Sequence, residues 1–424
     1  MLADPCSRCG RTLLDLRREA TRDAMRGSAL LCSVPACPLV QRVMGFPDTP
    51  RARGSLELHG PSPPAVFVGR HGYPDVTIGP LLPATPETSP GLADSPAEWA
   101  KDLDIATILA LRSRLYRSKS PARVTRPAAT HALEASRELA MSAKPVETEV
   151  TLAKPARLAP EPKIDSFAAP MGPSVDVVDA RVVSHPSVPR RVDAVVSDVH
   201  VDAATGANEL YDAGISGYHI QRLLSVGLLG EEAKRKLVPT RWSITATDDI
   251  LGKRMIEQVK QHPVLDAPLV FAGDLFGNYF QILLMPRIWS YEMVEAWRDA
   301  SAPAGWMVGH DIEGYEGRTG YVEQVAGAYY AARLSVLEHL ERIRRQASVV
   351  VYREITEEYW APLGVWVIRE AVRTAMEGKP LVFGDVQSAL RHMARKSRSQ
   401  EWLKVAKLPA EARAQTTLRE FLED

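Results

Sequence analysis

Every cysteine of the chain stands near its start: Cys6, Cys9, Cys32 and Cys37 are the only four among 424 residues. They form a C-x-x-C pair and a C-x-x-x-x-C pair. Each spacing lets two thiolates face one tetrahedral ion, and the intervening loop brings the second pair to the first. Gly10, after Cys9, and the turn formers Ser33 and Pro35 suit the tight bends of such a knuckle. The expectation is a four-cysteine module over residues 1–45 with a structural zinc. Four thiolates leave no open coordination position, so the metal would hold the fold and carry no reaction. Four unrelated thiols are the alternative. The loop between the pairs carries Arg17, Arg18, Arg22 and Arg26, either a basic face for phosphate or a solvated helix surface.

The rest of the chain has ordinary globular composition, 45% hydrophobic and 25% charged. With 52 basic against 52 acidic side chains, a uniformly basic coat is excluded, and a nucleic-acid surface would have to be a local patch. No apolar run reaches the ~18 residues of a membrane span. The opening MLADPCSRCG shows no charged-then-apolar leader pattern. The expectation is a cytoplasmic protein without membrane contact.

Periodicity and turn chemistry predict the elements. AVFVGRHGYPDVTIGPLL reads as a strand, Ala65 to Val68, a Gly-bounded loop and a second short strand, Val76 to Ile78. Arg70 and His71 stand between two glycines at that strand end, a candidate phosphate or ligand loop. Ser95-Pro96-Ala97-Glu98 reads as a capping box opening one helix, with Trp99, Leu103, Ala106 and Leu109 at helical spacing. The Pro- and Ala-rich stretch 118–190 reads as largely extended or irregular, with VETEVTL and VDVVDARVV as edge strands. DAVVSDVHVDA, from Asp193 to Ala203, reads as a strand, and ANELYDAGISGYHIQRLLSVGLLG as two short helices broken at Gly214 and Gly217.

Further on, GKRMIEQVKQH reads as a helix, and APLVFAGDLF with NYFQILLMP as a hairpin. SYEMVEAWRDA reads as an amphipathic helix. A long helix carries Val325, Tyr329, Ala332, Val336, Leu340 and Ile343 on one face. ASVVVYREI reads as a buried strand, and GVWVIREAVRTAMEG as a helix closed by Gly378. The fold class is therefore α+β: a mixed sheet core with packed helices, between the small N-terminal zinc module and a flexible C-terminal peptide tail. The basic segment RHMARKSRSQEWLKVAK, with Arg391, Arg395, Lys396, Arg398, Lys404 and Lys407, is either a backbone contact for nucleic acid with Trp402 free to stack, or a solvated helix face.

Several strings make a family resemblance. CSRC, LCSVPACPL, VFVGRHGYPDVTIGPL, KPVETEVTL, FAAPMGPS, VPRRVDAVVSD, LVPTRWSITATDD, GRTGYVEQVAGAYYAAR and PLGVWVIREAVR resemble the archaeal Nre family of DNA-repair proteins almost end to end. The resemblance implies an N-terminal region over 55–290, a C-terminal region over 291–408 and a role in DNA-damage repair. For members with a suitable tail it also implies binding to the PCNA sliding clamp. Residues 413–424 fit such a tail. Clamp-binding peptides are similar to Q-x-x-h-x-x-a-a, and Gln415, Leu418 and Phe421 match. Leu422 departs from the usual aromatic pair. One tight helical turn would bring Leu418, Phe421 and Leu422 to one side as an apolar plug, either for a pocket on the clamp or for docking on this chain's own domain.

Candidate reactive groups are polar residues set among apolar neighbours. His219, Arg241 and Glu354 are the catalytic candidates; Arg241, Ser243, Asp248, Asp249 and Arg369 are the ligand-binding candidates. Arg241 with Asp248 or Asp249 is either a structural network or a ligand site. The stretch GHDIEGYEGRTGY reads as a loop offering His310, Asp311 and Glu313, either a carboxylate–histidine metal cluster or a solvated loop. No P-loop, nucleophile elbow or H-E-x-x-H helix is present. The first expectation is a clamp-tethered repair factor that binds DNA. The alternative is an enzyme acting on DNA or a nucleotide-derived group, such as an ADP-ribosyltransferase-like protein in which Tyr218, His219 and Glu354 hold a nicotinamide dinucleotide. A cavity uniting His219, Arg241 and Glu354 would favour the enzyme.

Overall fold

A computed structural model describes residues 56–83, 90–155, 165–299, 302 and 305–414. Cys6, Cys9, Cys32, Cys37, and Gln415, Leu418, Phe421 and Leu422 lie outside them. The chain divides into two compact units, one running to Leu251 and taking back Trp360–Trp366, the other comprising Gly252–Tyr359 and Val367 onward.

The first unit contains a six-stranded sheet in the order β1-β5-β6-β4-β3-β2. The strands are β1 (Glu57–Ser62), β2 (Val66–Val68), β3 (Asp75–Pro83), β4 (Leu115–Arg123), β5 (Val146–Leu152) and β6 (Ser174–Val182). All neighbours are antiparallel except β4 and β6. β5 buries Val146, Thr148, Val150 and Leu152 in strict alternation, as a half-buried strand must. VETEVTL and VDVVDARVV are thus strands as expected, but both are interior to the sheet.

The helices depart further from expectation. The predicted single helix after Ser95 is two, α1 (Pro96–Asp102) and α2 (Ile105–Ser113). Ser95 makes no side-chain cap, whereas Asp104 accepts from the Thr107 amide and starts the second helix. The 118–190 stretch contains α3 (His131–Met141), capped by Thr130, with Leu133, Ser136, Leu139 and Ala140 buried on one face. Asp193 begins no strand: Val192, Val195 and Val196 fall at helical spacing and bury together on α4 (Arg190–Ser197). The pair α5 (Ala203–Asp212) and α6 (Gly217–Ser225) form as expected, each capped at its start by Asp202 or Ser216. Leu133, Leu139, Val192, Val195, Leu210, Ile220 and Leu223 pack with Val68 and Ile78 into one core.

α7 (Thr240–Val259) takes in both RWSITATDD and the helix expected after it. The second unit has its own sheet, in the order β10-β9-β11-β8-β7-β12. β7 (Leu269–Leu275) and β8 (Asn278–Met285) make the expected hairpin, and β11 (Ser348–Ile355) the expected buried strand. SYEMVEAWRDA is not a helix. It forms β9 (Ser290–Arg298), parallel to β11 and antiparallel to β10 (Trp306–Glu313). The predicted loop with His310, Asp311 and Glu313 is therefore strand. β12 (Leu381–Val382) is a short edge.

The two faces of this sheet are covered differently. Val270, Val294, Val350 and Tyr352 pack with Leu390, Met393, Trp402 and Leu408. These last four come from α10 (Val386–Lys396), α11 (Trp402–Val405) and α12 (Lys407–Ala414). Phe271 and Tyr291, of opposite parity, meet His339 and Tyr329 of α8 (Ala326–Ile343), with ring centroids 5.0 and 4.9 Å apart. α8 is buried nearly all round. Its Ser335 hydroxyl donates to the Arg369 carbonyl of α9 (Trp366–Glu377) at 3.0 Å.

Candidate functional site

Four stretches of the first unit that are distant in sequence meet around a cavity of about 460 Å³. The end of β2 and its loop bring Val68, Gly69, Arg70 and His71. β4 brings Arg117 and Lys119, residues 165–171 bring Asp165 and Met171, and the start of α7 brings Arg241. Local chemistry fixes each. The Val68 amide donates to Thr240 Oγ1 at 2.9 Å, joining strand to helix. The Gly69 amide donates to the Thr77 carbonyl at 2.7 Å. At Gly72, φ is +82°, and a Cβ would stand 2.7 Å from the Asp75 carbonyl oxygen, so the loop turns only with glycine there.

Arg241 is held on two sides. Its guanidinium lies over the Phe167 ring, 3.6 Å from the centroid. It donates to Asp165 Oδ2 at 3.4 Å. Asp165 Oδ1 in turn accepts from the Phe167 and Ala168 amides at 2.7 and 3.2 Å, an Asx turn that orients both the carboxylate and the ring. The partner of Arg241 is thus Asp165. Asp248 and Asp249 lie about two turns further along the same helix, ~10 Å away at 1.5 Å per residue. From α2, buried Arg112 Nε donates to the Pro170 carbonyl at 2.7 Å and ties this segment down.

Arg117 lies over the Phe67 ring at 4.9 Å and donates from Nε and Nη2 to Ser174 Oγ. Burial lowers its pKa from the ordinary arginine value. Lys119 pairs with Asp176 at 2.9 Å. Arg70 and His71 are exposed and have no ion-pair partner among the described residues. Four permanent cations therefore line the cavity against one carboxylate, Asp165. A concave cationic wall of this kind draws phosphate, and its two ring-backed guanidiniums are pre-set for planar anion contacts. Beside it Tyr73 and Trp242 stand at the surface with ring centroids 5.1 Å apart.

Sequence reading singles out Arg70, His71 and Arg241. It passes over Arg117 and Lys119, which lie at the edge of the stretch that reads as irregular. Their i, i+2 spacing around buried Ser118 is the available signal, since it puts both on one strand face.

The other candidates lie elsewhere. His219 is buried on α6, and its Nε2 has no hydrogen-bond partner among the described residues. Loss of solvation, with Arg222 nearby, pushes its pKa down to about 4. Ser243 is buried, and its hydroxyl donates a hydrogen bond to the Thr240 carbonyl at 3.0 Å. Arg369 is buried in the second unit. Glu354 lines a separate cavity of about 590 Å³ there, with Lys379, His392, Lys396 and Arg398. Its carboxylate accepts from the Tyr352 hydroxyl at 2.8 Å and the Ser399 amide at 2.9 Å. Arg241 and Glu354 thus line different cavities in different units, and His219 lines neither.

Trp402 is not free to stack on a base; it is fully buried and stacked on Tyr352 at 4.7 Å. Nor do His310, Asp311 and Glu313 converge. His310 Nδ1 is 2.8 Å from buried Glu292, Asp311 accepts three backbone amides from residues 323–325, and Glu313 pairs with Arg333. Among the described residues no cluster of three or more His, Cys, Asp or Glu side chains is placed to hold a metal.

The family description "Archaeal Nre, N-terminal" matches residues 31–303, and "Archaeal Nre, C-terminal" matches 313–421. The chain belongs to the archaeal Nre family. It is 37% identical over 377 residues to DNA repair protein NreA of Archaeoglobus fulgidus, covering 88% of this chain and 93% of that protein. To NreB of the same organism it is 37% identical over 399 residues, 93% and 98% of the two chains. NreA of Haloferax volcanii is 38% identical over 339 residues, 77% and 81%. No solved structure matches significantly. Every lining residue of the cationic cavity falls within the N-terminal Nre match. Among the described residues of this Nre chain no helix is long and apolar enough to cross a membrane.

Proposed function

We propose that this chain is a DNA-repair protein that contacts DNA through the cationic cavity of its first unit and is brought to its substrate by the PCNA sliding clamp. The observation that carries the DNA reading is the convergence of Arg70, Arg117, Lys119 and Arg241 on one cavity in a chain with no net charge. The Nre relatives, which bear the name DNA repair protein, agree with it. The clamp reading rests on the spacing of Gln415, Leu418, Phe421 and Leu422. The C-terminal Nre match runs to 421 and includes the first three. Cys6, Cys9, Cys32 and Cys37 would hold a structural zinc in an N-terminal module.

Titration with short DNA and, separately, with archaeal PCNA tests the two arms. Replacing Arg117 and Lys119 with alanine should weaken DNA binding and flatten its salt dependence, because each lost phosphate contact removes about one released counterion. Phe421→Ala should weaken clamp binding roughly thirtyfold or more, as loss of an aromatic anchor of ~2 kcal/mol does, and leave DNA binding unchanged. Full DNA affinity in the double variant would refute the cavity; full clamp affinity in Phe421→Ala would refute the tail.

A further inference from the structure

Two large aromatic rings stand at the surface beside the cationic cavity, each carried by a segment that also supplies one of its cations. Tyr73 is 48% exposed and Trp242 43% exposed. Tyr73 follows Arg70 by three residues in the β2–β3 loop, and Trp242 follows Arg241 directly at the start of α7. Backbone bonds hold both stems: the Tyr73 amide donates to the Arg70 carbonyl and the Trp242 amide to the Pro239 carbonyl at 2.8 Å. The rings brace each other, tilted by 59° with centroids 5.1 Å apart. Among the described residues Trp242 is the only tryptophan exposed to this degree; Trp99, Trp289, Trp306, Trp366 and Trp402 are buried.

We infer that Tyr73 and Trp242 form a stacking step for an unpaired nucleobase, whose phosphodiester backbone lies along Arg70, Arg117, Lys119 and Arg241. The inference rests on the reading of that cavity as a DNA contact and adds what kind of DNA it takes. A duplex offers phosphates and base edges, while its base faces are already stacked on each other; a ring face can meet a base only where the strand is single or locally opened. The cavity points the same way. At about 460 Å³ it lies in the range of small-ligand clefts, ~300–1,000 Å³, the scale of a nucleotide or two. Charge and apolar surface are thus arranged as on single-strand binders, a cationic track beside aromatic platforms. The site selects exposed bases, such as those of a gap, a frayed end or a flipped nucleotide, without reading their identity.

The test uses the full chain, a thymine oligonucleotide and a duplex of the same length, with tryptophan fluorescence and anisotropy followed over a range of salt. The single strand should quench part of the fluorescence, and the quenching should vanish in Trp242→Phe while affinity falls little. Tyr73→Ala with Trp242→Ala should weaken the single strand by about 5- to 100-fold, the range of a lost stacked base. Its salt slope should be unchanged, since no phosphate contact is removed, and duplex binding should be nearly unaffected. Melting curves of both variants confirm folding. Equal losses for single strand and duplex, or no loss for either, would overturn the stacking step. Should the Arg117/Lys119 double alanine variant weaken binding while the aromatic variants do not, only this inference falls. If the alanine variant also binds as the parent does, the cavity reading falls with it.

Discussion

Arg333 of α8 and Glu313 of β10 form an ion pair at 2.8 Å with both side chains almost fully buried. Tyr329 and Tyr330 lie on the guanidinium, 5.6 and 5.3 Å away. A buried pair like this adds little over a well-packed apolar replacement, yet removing one partner strands a charge in a dry interior. Glu313→Ala should therefore cost about 3–5 kcal/mol in a denaturant titration of the second unit. The paired change of Glu313→Leu with Arg333→Met should recover most of that loss. If the double variant is as unstable as the single, the pair does more than compensate its own burial.

Each unit buries a neutral histidine, and this fixes the direction of its acid sensitivity. Burial, with Arg222 close by, holds His219 down to about 4. Burial, with Arg342 close by, does the same to His339; Arg342 Nη2 donates to His339 Nδ1 at 2.9 Å and so requires that nitrogen to be unprotonated. The folded pKa lies below the unfolded value of 6.5, so the unfolded chain takes up protons first. Stability from these groups is complete above about pH 6.5 and is lost as pH falls towards about 4. Each full shift is worth up to about 3 kcal/mol. Melting temperatures of the whole chain should drop between about pH 7 and pH 4.5, and His219→Gln should flatten the transition assigned to the first unit. A flat profile across that window would contradict the burial of both rings.

The elements legible in the sequence are those whose local pattern and tertiary surroundings agree: the β7–β8 hairpin, β11, and the helices α8 and α9. β9 reads as a helix because Glu292 and Glu295 stand at i, i+3 among helix-favouring residues. In the fold both carboxylates are buried. Glu292 accepts the Lys407 and Leu408 amides, and Glu295 bonds Arg353, whose Nε also donates to Asn278 at 3.0 Å. Those partners of the two glutamates lie 58 to 116 residues away, so no local pattern could announce them, and tertiary contacts override propensity. α4 misleads in the opposite sense, its valines counting for strand while their spacing is helical. At the cavity, the Gly-bounded Arg70–His71 loop and Arg241 are visible as charges in unusual settings. Asp165 as the partner of Arg241 is not, because only folding brings residues 76 apart in sequence together.

The four cysteines make a prediction that needs no structure of the module. Protein purified without chelator should contain about one zinc per chain by elemental analysis. Cys9→Ser and Cys37→Ser should each lose it, since a tetrahedral site with three remaining thiolates binds far more weakly and its small fold depends on the metal. Thiol titration gives an independent reading: four reactive thiols should appear only after a strong chelator is added. Metal content near zero in the unmodified chain would exclude the site.

Gly364 offers a way to move Arg241 without touching it. Its φ is +104°, and a Cβ there would stand 2.8 to 2.9 Å from the Phe167 and Ala168 backbone. The neighbouring Val365 amide donates to the Phe167 carbonyl at 2.9 Å, so the two segments are locked together. Phe167 is the ring on which Arg241 lies, and the same turn orients Asp165. An alanine at 364 must push this turn, and with it both supports of the guanidinium. Gly364→Ala should cost about 1–3 kcal/mol of stability through strain and weaken DNA binding severalfold, though residue 364 lines no part of the cavity. The control is Gly214→Ala. That glycine also has a positive φ, +81°, but open space where the Cβ would go. It should show a comparable conformational penalty, about 1–2 kcal/mol, with DNA affinity unchanged. Equal effects of the two variants on DNA binding would mean that general loss of stability, and not the placement of Arg241, governs the contact.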